Sequence, residues 1–322
     1  MKHSFLLCPF DGFKLRIYST SYIDYMLCNA GKYNLVGLKP LYAEDDTDYP
    51  TGKYSDKVFD PILGKYMGFS IKIGPTSKGR AVEIQGSFHK FFYKGENYQP
   101  FYWEDFIEVY KQLIQMFALD PKDVNVVNLE VGVNVYTLPQ WLATAKDICS
   151  NILYFNPPSK RSARDVKEYK GFGFSWCAMH EQFWLKIYDK LPILGEKTRD
   201  IIRLEKKHKR RGPLKKLGVT NLESLLDQAV LVKLNKDLFK TLGKLIIYQG
   251  ELDDCESLPE EVKTFLLHYR KAEAWTAVYR ADKALFKKVK IKYYSILKRY
   301  TSFNLKEELL KEAARLLFEI KQ

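Results

Sequence analysis

The stretch VVNLEVGVNV (Val126–Val135) decides the fold class, because apolar and polar residues alternate along it without a break. Valine and leucine occupy one side of the pattern, and Asn128, Glu130 and Asn134 lie on the other side with a glycine. A period of two is typical of a strand that buries one face and leaves the other in water. The sequence therefore predicts a sheet with one covered face and one polar face.

Similar alternation on both sides of this stretch predicts the neighbouring strands. Residues 81–91 place Glu83, Gln85 and His89 on the polar side and apolar residues on the other. An alternation of this length again predicts a half-buried strand. Further strands are predicted at residues 172–179, 182–189 and 200–206.

Helical spacing appears between these strands. Residues 103–117 carry one apolar stripe, and a second helix is predicted to begin after Thr137 and Pro139, as an N-cap and an early helical proline. Strands and helices thus alternate in the middle of the chain before three strands follow one another. The predicted class is α+β, with a central antiparallel or mixed sheet, helices on one face, and a helical C-terminal region.

After residue 206 the predicted elements are helices and no longer strands, which predicts two domains. Residues 1–212 would form the α+β domain, and residues 213–322 a helical domain that binds DNA or a partner. The boundary is placed near residues 212–220. Helices are predicted at residues 221–230, 236–246, 259–271, 273–299 and 304–321.

The charge balance favours a polyanionic partner. The 322 residues include 52 Lys and Arg against 39 Asp and Glu, which gives a formal net charge of +13 and a pI near 9.2. A surplus of this size attracts phosphate backbones. A basic surface kept only for solubility is the alternative, and we favour nucleic acid over it.

Cysteine usage favours a reducing compartment, and we expect the cytoplasm. The five cysteines are odd in number and widely spaced, with no CxxC and no Cys/His cluster, so a disulfide framework and a structural zinc site are both disfavoured. The first residues lack the features of a secretory signal, and no apolar run is long enough to span a bilayer. No membrane partner is expected.

Several enzyme classes lose support because their motifs are missing. The sequence has no Walker A motif, no Rossmann glycine fingerprint, no HExxH and no GxSxG. A nucleotide-driven motor and a classical hydrolase are therefore disfavoured.

The polar faces of the predicted strands hold residues that could carry chemistry. Carboxylates with an imidazole are adequate ligands for Mg²⁺ or Mn²⁺. A tyrosine near such an ion could attack a phosphodiester, with lysine offsetting the developing charge. The alternative is the ordinary wet face of an antiparallel sheet, where charged residues belong. The sets are Glu83, Gln85 and His89; Glu130 and Asn134; Lys186, Tyr188 and Lys190; Arg203 and Glu205.

Two basic regions suit phosphate contact. Residues 206–211 read KKHKRR directly after the last predicted strand, and a solvated linker is the alternative. The C-terminal helices interleave lysine and arginine with aromatic residues that could stack on bases, although an aromatic core stripe is the more probable explanation of those rings.

Four segments in order resemble the rolling-circle replication initiators of plasmids and phages, including the filamentous-phage gene II and plasmid RepC types, a group related to the HUH nickases. The first is IQGSFHKF (Ile84–Phe91), and the second is NLEVGVN (Asn128–Asn134). LKIYDK (Leu185–Lys190) resembles the family's "[RK]-[IV]-Y-[DN]-K" strand, and IRLE (Ile202–Glu205) its "R-x-E" strand. The resemblance covers about residues 81–206.

The resemblance implies a metal-dependent DNA endonuclease and ligase that nicks one strand at an origin and keeps the 5′ phosphate on a tyrosine. Its cofactor would be Mg²⁺ or Mn²⁺, and its partners single-stranded DNA or an origin hairpin, with a host helicase as a further partner. By position, the resemblance implies Tyr188 as nucleophile, Lys190 and Arg203 as groups that bind the phosphate, and His89, Glu130 and Glu205 as metal ligands. The further residues predicted to contact DNA phosphates are Lys186 and, in the basic run, Lys207, Lys209, Arg210 and Arg211.

The sequence departs from the family at one point and leaves alternatives open. Many relatives carry a His-hydrophobe-His pair, whereas His89 stands alone. Tyr169, in a basic loop, competes with Tyr188 for the role of nucleophile. A non-catalytic DNA-binding regulator on the same scaffold, or a relaxase or transposase of the same chemistry, would also explain the pattern.

Overall fold

The strict alternation at Val126–Val135 becomes a long strand in the computed structural model, which describes residues 6–36, 61–95, 98–141, 143–155, 167–169, 173–190, 200–253 and 255–318. The strands are β1 (Phe10–Ile17), β2 (Ile62–Tyr66), β3 (Phe69–Thr76), β4 (Gly79–Ser87), β5 (Asn125–Tyr136), β6 (Ile152–Phe155), β7 (Lys167–Tyr169), β8 (Gly173–Met179), β9 (Phe183–Asp189), β10 (Ile201–His208) and β11 (Leu245–Ile247).

The α-helices account for most of the remaining described chain. They are α1 (Thr20–Cys28), α2 (Phe88–Phe92), α3 (Trp103–Phe117), α4 (Ala145–Ser150), α5 (Arg211–Lys216), α6 (Gln228–Leu242), α7 (Glu260–Tyr269), α8 (Ala272–Ala281), α9 (Lys283–Tyr300) and α10 (Leu305–Phe318). No helix among the described residues has both the length and the apolar character needed to cross a bilayer.

Contacts divide the chain into two compact units. The N-terminal unit comprises Phe10–Glu130 and Arg210–Leu231, and the C-terminal unit comprises Met1–Pro9, Val131–Lys209 and Val232–Gln322. The helices after residue 232 therefore pack with strands from the middle of the chain. The predicted division into residues 1–212 and 213–322 stays a prediction about independent folding.

An antiparallel sheet organises the N-terminal unit. Its strands follow the order β2-β3-β4-β1-β5, and β4 pairs antiparallel with both β3 and β1. One face is covered by α3, which begins and ends as the helical spacing predicts, and by the short α2. Phenylalanines pack there, with the ring of Phe13 stacked on that of Phe88 at 4.2 Å.

The C-terminal unit has the strand order β5-β10-β9-β8-β7, and α4 packs on β8 and β9. The C-terminal helices surround a separate aromatic core around Trp275 and Tyr293, both fully buried. The aromatic residues of these helices are thus core residues, as the alternative interpretation held. With these two units the α+β class, the antiparallel sheet and the helical C-terminal region are confirmed.

Capping residues explain where the predicted boundaries were wrong. The predicted strand 81–91 stops at Ser87, whose hydroxyl accepts a hydrogen bond from the Lys90 N–H and starts α2. The helix predicted after Pro139 begins only at Ala145, behind a capping box of Thr144 and Asp147. Asp282 caps α9 and splits the single helix predicted at residues 273–299.

One strand of the C-terminal region was not predicted. Residues 236–246 were predicted to be helical, yet α6 ends at Leu242 and β11 follows, pairing antiparallel with β6. Three apolar residues carry too little periodic signal to distinguish a buried strand from the end of a helix.

Candidate active site

The polar face of the C-terminal unit is built by the pairing of β9 with β10. Tyr188 lies directly opposite Arg203, and Lys186 lies opposite Glu205. Residues two apart on a strand share a face, so all four side chains lie on the same side of the sheet. The structure thus brings together four of the residues that the sequence pattern predicted to share a polar surface.

Glu205 is at the centre of this group. Its Oε1 accepts a hydrogen bond from Nζ of Lys186 at 2.7 Å, and its Oε2 accepts one from the hydroxyl of Tyr188 at 3.3 Å. The Nε of Arg203 lies 3.7 Å from the same Oε2. The carboxylate of Glu205 is 2% exposed, so these partners offset the cost of burying its charge.

Arg203 is held by a second strand of the unit. Its NH1 donates a hydrogen bond to Oδ1 of Asn134 on β5 at 3.1 Å. A Cβ added to Gly132 would lie 3.0 Å from the Cζ of Arg203 and 2.9 Å from the carbonyl oxygen of Leu204. Glycine at position 132 therefore leaves the space that the buried guanidinium occupies.

Two further side chains follow from the register on β8. Ser175 lies opposite Tyr188, and Cys177 lies opposite Lys186. Burial raises the pKa of the Cys177 thiol to about 11, so it stays protonated near neutral pH. A nucleophilic thiolate is therefore not available here.

Lys190 and Tyr169 are the other residues that the sequence placed near the reaction. Lys190 follows β9, its N–H donates to the Ile201 carbonyl at 2.9 Å, and its side chain is buried. Tyr169 ends β7, and its side chain lies outside the described part of the structure. The assignment of Tyr188 over Tyr169 as nucleophile stays a prediction.

The basic run at residues 206–211 is divided by the pleat of β10. Lys206 and His208 are buried on the helix-covered side, where Nζ of Lys206 donates to Asp237 Oδ2 at 2.5 Å and to Thr241 Oγ1 at 2.8 Å on α6. Lys206 and His208 thus face the helix-covered side of the sheet. The other four residues of the run stay predicted DNA contacts: Lys207, Lys209, Arg210 and Arg211.

Those four residues differ in their surroundings. Lys207 lies opposite Trp184 in the register, and Nζ of Lys209 lies 4.2 Å from the centroid of the Trp184 ring. Arg210 is exposed, while Arg211 NH2 donates to the Thr220 carbonyl at 3.1 Å. Their contact with DNA phosphates stays a prediction.

The three predicted metal ligands differ in their surroundings, and their role in metal binding stays a prediction. His89 lies in α2 of the N-terminal unit, buried with its ring stacked on Phe101 at 5.0 Å, and not on a strand face. Glu130 is half-buried in the same unit, whereas Glu205 belongs to the C-terminal unit and already contacts two cations. Within the described ranges, no group of three or more His, Cys, Asp or Glu residues is placed to hold a metal ion.

Two residues that hold buried cations in place, one on each side of β10, were missed by sequence reasoning. Asn134 was placed on the polar face but given no role, and Asp237 was not considered at all. The alternation of β5 indicates the face of Asn134, but its bond to Arg203 depends on which strand lies beside β5. A helical aspartate such as Asp237 gives no sequence signal of a buried lysine partner.

Comparisons with known proteins add little to this geometry. No family model matches the chain, and no curated protein matches it. A solved structure of a rolling circle replication initiator protein from Geobacillus stearothermophilus aligns with 99% of this chain and 100% of its own, at 13% identity and a TM-score of 0.36. At that TM-score the likeness assigns neither a fold family nor a function.

Proposed function

We propose that this protein is a replication initiator of a plasmid or phage that nicks and rejoins one DNA strand through a Tyr188–5′-phosphate intermediate. The observation that carries the proposal is the hydrogen bond from the Tyr188 hydroxyl to Glu205, in a group that also holds Lys186 and Arg203. The order of the four sequence segments that resemble rolling-circle initiators supports the same conclusion.

The geometry suits attack by a phenol on a phosphodiester. The Tyr188 hydroxyl gives its proton to Oε2 of Glu205 as its oxygen forms a bond to phosphorus. The bond between phosphorus and the 3′ oxygen breaks, and that oxygen takes a proton from water to become a free 3′ hydroxyl. The 3′ end is then available to prime synthesis.

Rejoining is the same reaction in reverse. A 3′ hydroxyl attacks the phosphotyrosine and gives its proton to water, and the Tyr188 oxygen leaves and takes its own proton back from Glu205. One phosphodiester bond is exchanged for another in each direction, so no energy cofactor is consumed. This agrees with the missing Walker A motif.

The two cations beside Glu205 would stabilise charge on the phosphate. Arg203 is oriented by Asn134, and Lys186 reaches the carboxylate from the opposite strand. When a phosphate approaches, either cation can turn from the carboxylate towards the phosphoryl oxygens, since both anions accept the same donors. Because both cations are already held beside the Tyr188 hydroxyl, only a short rotation is needed before they offset charge in the transition state.

The proposal includes a divalent metal ion, and whether adduct formation requires that ion is left to experiment. Bound Mg²⁺ or Mn²⁺ would polarise the phosphate in an initiator of this type. The described residues do not present a three-ligand centre, so no step above depends on the ion.

A DNA-binding regulator without catalysis is the second candidate. The ion pairs around Glu205 favour it, because a buried carboxylate that contacts Lys186 and Arg203 also serves a purely structural role. The two candidates differ in whether a covalent protein–DNA adduct forms.

The deciding experiment incubates the protein with single-stranded circular DNA that carries the element's origin, with Mn²⁺, and separates the products on a denaturing gel. We expect an adduct with the wild type and with Tyr300→Phe, a half-buried tyrosine on α9, and none with Tyr188→Phe. An adduct that survives Tyr188→Phe moves the nucleophile, with Tyr169 next. No adduct with any origin DNA supports the regulator instead. Parallel reactions with EDTA test the metal requirement.

A further inference from the structure

A polar pocket opens in the N-terminal unit. It has a volume of about 240 Å³, roughly eight times the ~30 Å³ that one water occupies in the liquid. Arg16 of β1, Lys72 of β3 and Glu83 of β4 line it, together with Thr76 and Ser77 where the β3–β4 hairpin turns.

The charged lining residues form a row across three strands. Arg16 lies directly opposite Glu83 in the β1–β4 register, and Lys72 lies directly opposite Glu83 in the β3–β4 register. One carboxylate is thus flanked by a cation on either side. The row is set by backbone pairing, so the spacing of its charges is fixed by the sheet.

Glu83 does not neutralise this row. Arg16 Nε donates to Glu83 Oε1 at 2.9 Å, and Lys14 Nζ donates to Oε2 at 3.3 Å. Although burial alone would raise it, these bonds and charges hold the pKa of Glu83 below its ordinary value. In the part of the chain that the structure describes, Lys72 has no carboxylate partner, which leaves positive charge at the pocket.

The surroundings of Tyr18 indicate the same positive potential. Its hydroxyl accepts a hydrogen bond from Arg16 NH1 at 3.3 Å. Burial alone would raise the pKa of Tyr18, but hydrogen bonds with Arg16 and Thr76 and the charges of Arg16 and Lys78 lower it below its ordinary value. An environment that favours a phenolate also favours a phosphate.

The lining favours a phosphate over a base or another flat ring. The residues that line the pocket are charged, hydroxyl-bearing, glycine, alanine or proline, and Tyr18 contacts Arg16 without being one of them. Bases are bound by stacking on aromatic rings or on arginine planes, and the Arg16 guanidinium already holds Glu83. Chemistry of this kind recognises a phosphate and not the base attached to it.

We propose that the Arg16–Lys72 pocket binds a backbone phosphate of a nucleic-acid strand and is a second, sequence-independent DNA contact of this protein. The proposal rests on the proposed function, because DNA supplies the phosphate. Lys72 is the cation to remove, since it is exposed and its loss leaves the Arg16–Glu83 pair intact.

The test measures binding of labelled single-stranded origin DNA by fluorescence anisotropy at several salt concentrations. It uses the Tyr188→Phe chain as parent, so that no covalent capture occurs. Lys72→Ala should weaken binding several-fold at low salt and reduce the slope of log K against log salt by about 0.7, equally on unrelated sequences. Lys111→Ala, which removes an exposed lysine of α3 outside the pocket, should keep the parent slope.

Four results would overturn the proposal. One is a Lys72→Ala slope equal to that of the parent, and another is a loss confined to one sequence. A third is a calorimetric experiment in which inorganic phosphate binds the parent but not Lys72→Ala, while the slope for DNA binding is the same in both. That result would assign the pocket to free phosphate. If the parent binds no DNA, the proposed function falls as well. If the wild type forms the covalent adduct but Lys72→Ala leaves the salt slope unchanged, only this inference is overturned and the proposed function stands.

Discussion

The hydroxyl of Tyr188 on β9 donates a hydrogen bond to the buried carboxylate of Glu205 on β10 at 3.3 Å, across an antiparallel strand pair. The two residues are far apart in sequence, and the register places them two positions apart along the ladder, as a diagonal pair on one face. The phenol thus has a proton acceptor in place before any substrate binds. Such a pair is the minimum that nucleophilic attack by tyrosine requires.

Replacing Glu205 by glutamine removes that acceptor. We expect the single-turnover rate of adduct formation to fall by roughly 100-fold or more, because general-base assistance contributes that much. Quenched-flow or manual time courses with origin DNA would measure the rate. Glu181→Gln, which changes an exposed acid in the turn before β9, should react as the wild type does. A normal rate in Glu205→Gln would show that the carboxylate only stabilises the fold.

Gly132→Ala and Gly31→Ala should change stability in opposite directions. The new methyl at position 132 would lie 2.9 Å from the backbone oxygen of Leu204, and we expect a loss of about 1–3 kcal/mol. The same change at position 31 meets no atom within 4 Å, and alanine restricts the unfolded chain, which favours folding by about 0.4–1 kcal/mol. Urea unfolding of both variants would measure this. Equal effects would mean that the space beside Arg203 is not needed.

Asp237→Ala should be much more costly than the loss of a surface ion pair. It removes the carboxylate that contacts Nζ of Lys206, whose side chain is 7% exposed, and we expect a loss of about 3 kcal/mol in the free energy of unfolding. Glu308→Ala breaks the more exposed pair with Lys311 on α10 and should cost less than ~1 kcal/mol. Chemical denaturation compares the two, and similar losses would contradict the burial argument.

His208 should make the protein sensitive to mild acid. Burial, and then the charge of Lys206, lowers the pKa of His208 to about 4, against 6.5 for an ordinary histidine. The unfolded chain therefore binds more protons between these values, so stability falls as pH drops through this window. The expected contribution is about 2 kcal/mol between pH 7 and pH 4.5.

Urea titrations at pH 7 and pH 4.5 would check the acid effect. In His208→Gln the difference between the two pH values should shrink by that amount, since glutamine does not titrate. His268→Gln changes an exposed histidine and should leave the difference as it is in the wild type. If the stability of His208→Gln differs between pH 7 and pH 4.5 by as much as that of the wild type, other groups cause the acid sensitivity.

The sequence predicted well where one residue pattern was sufficient. The alternation at Val126–Val135 and the apolar stripe at residues 103–117 both became the predicted elements. It failed at Ser87 and Asp282, where a single capping side chain ended an element in spite of a continuing apolar pattern. The pleat of β10 also divided the basic run, so that Lys206 became buried while the pattern indicated only charge.

By itself the sequence determined the class of the fold and the face on which each strand residue lies, because periodicity and burial are local properties of the chain. It also determined the basic character that favours a polyanionic partner. Only the tertiary structure decided that Glu205 lies beside Tyr188, that Asn134 holds Arg203, and that Arg16 and Lys72 flank Glu83. Those neighbours depend on strand order and register, which arise from pairing between segments far apart in sequence.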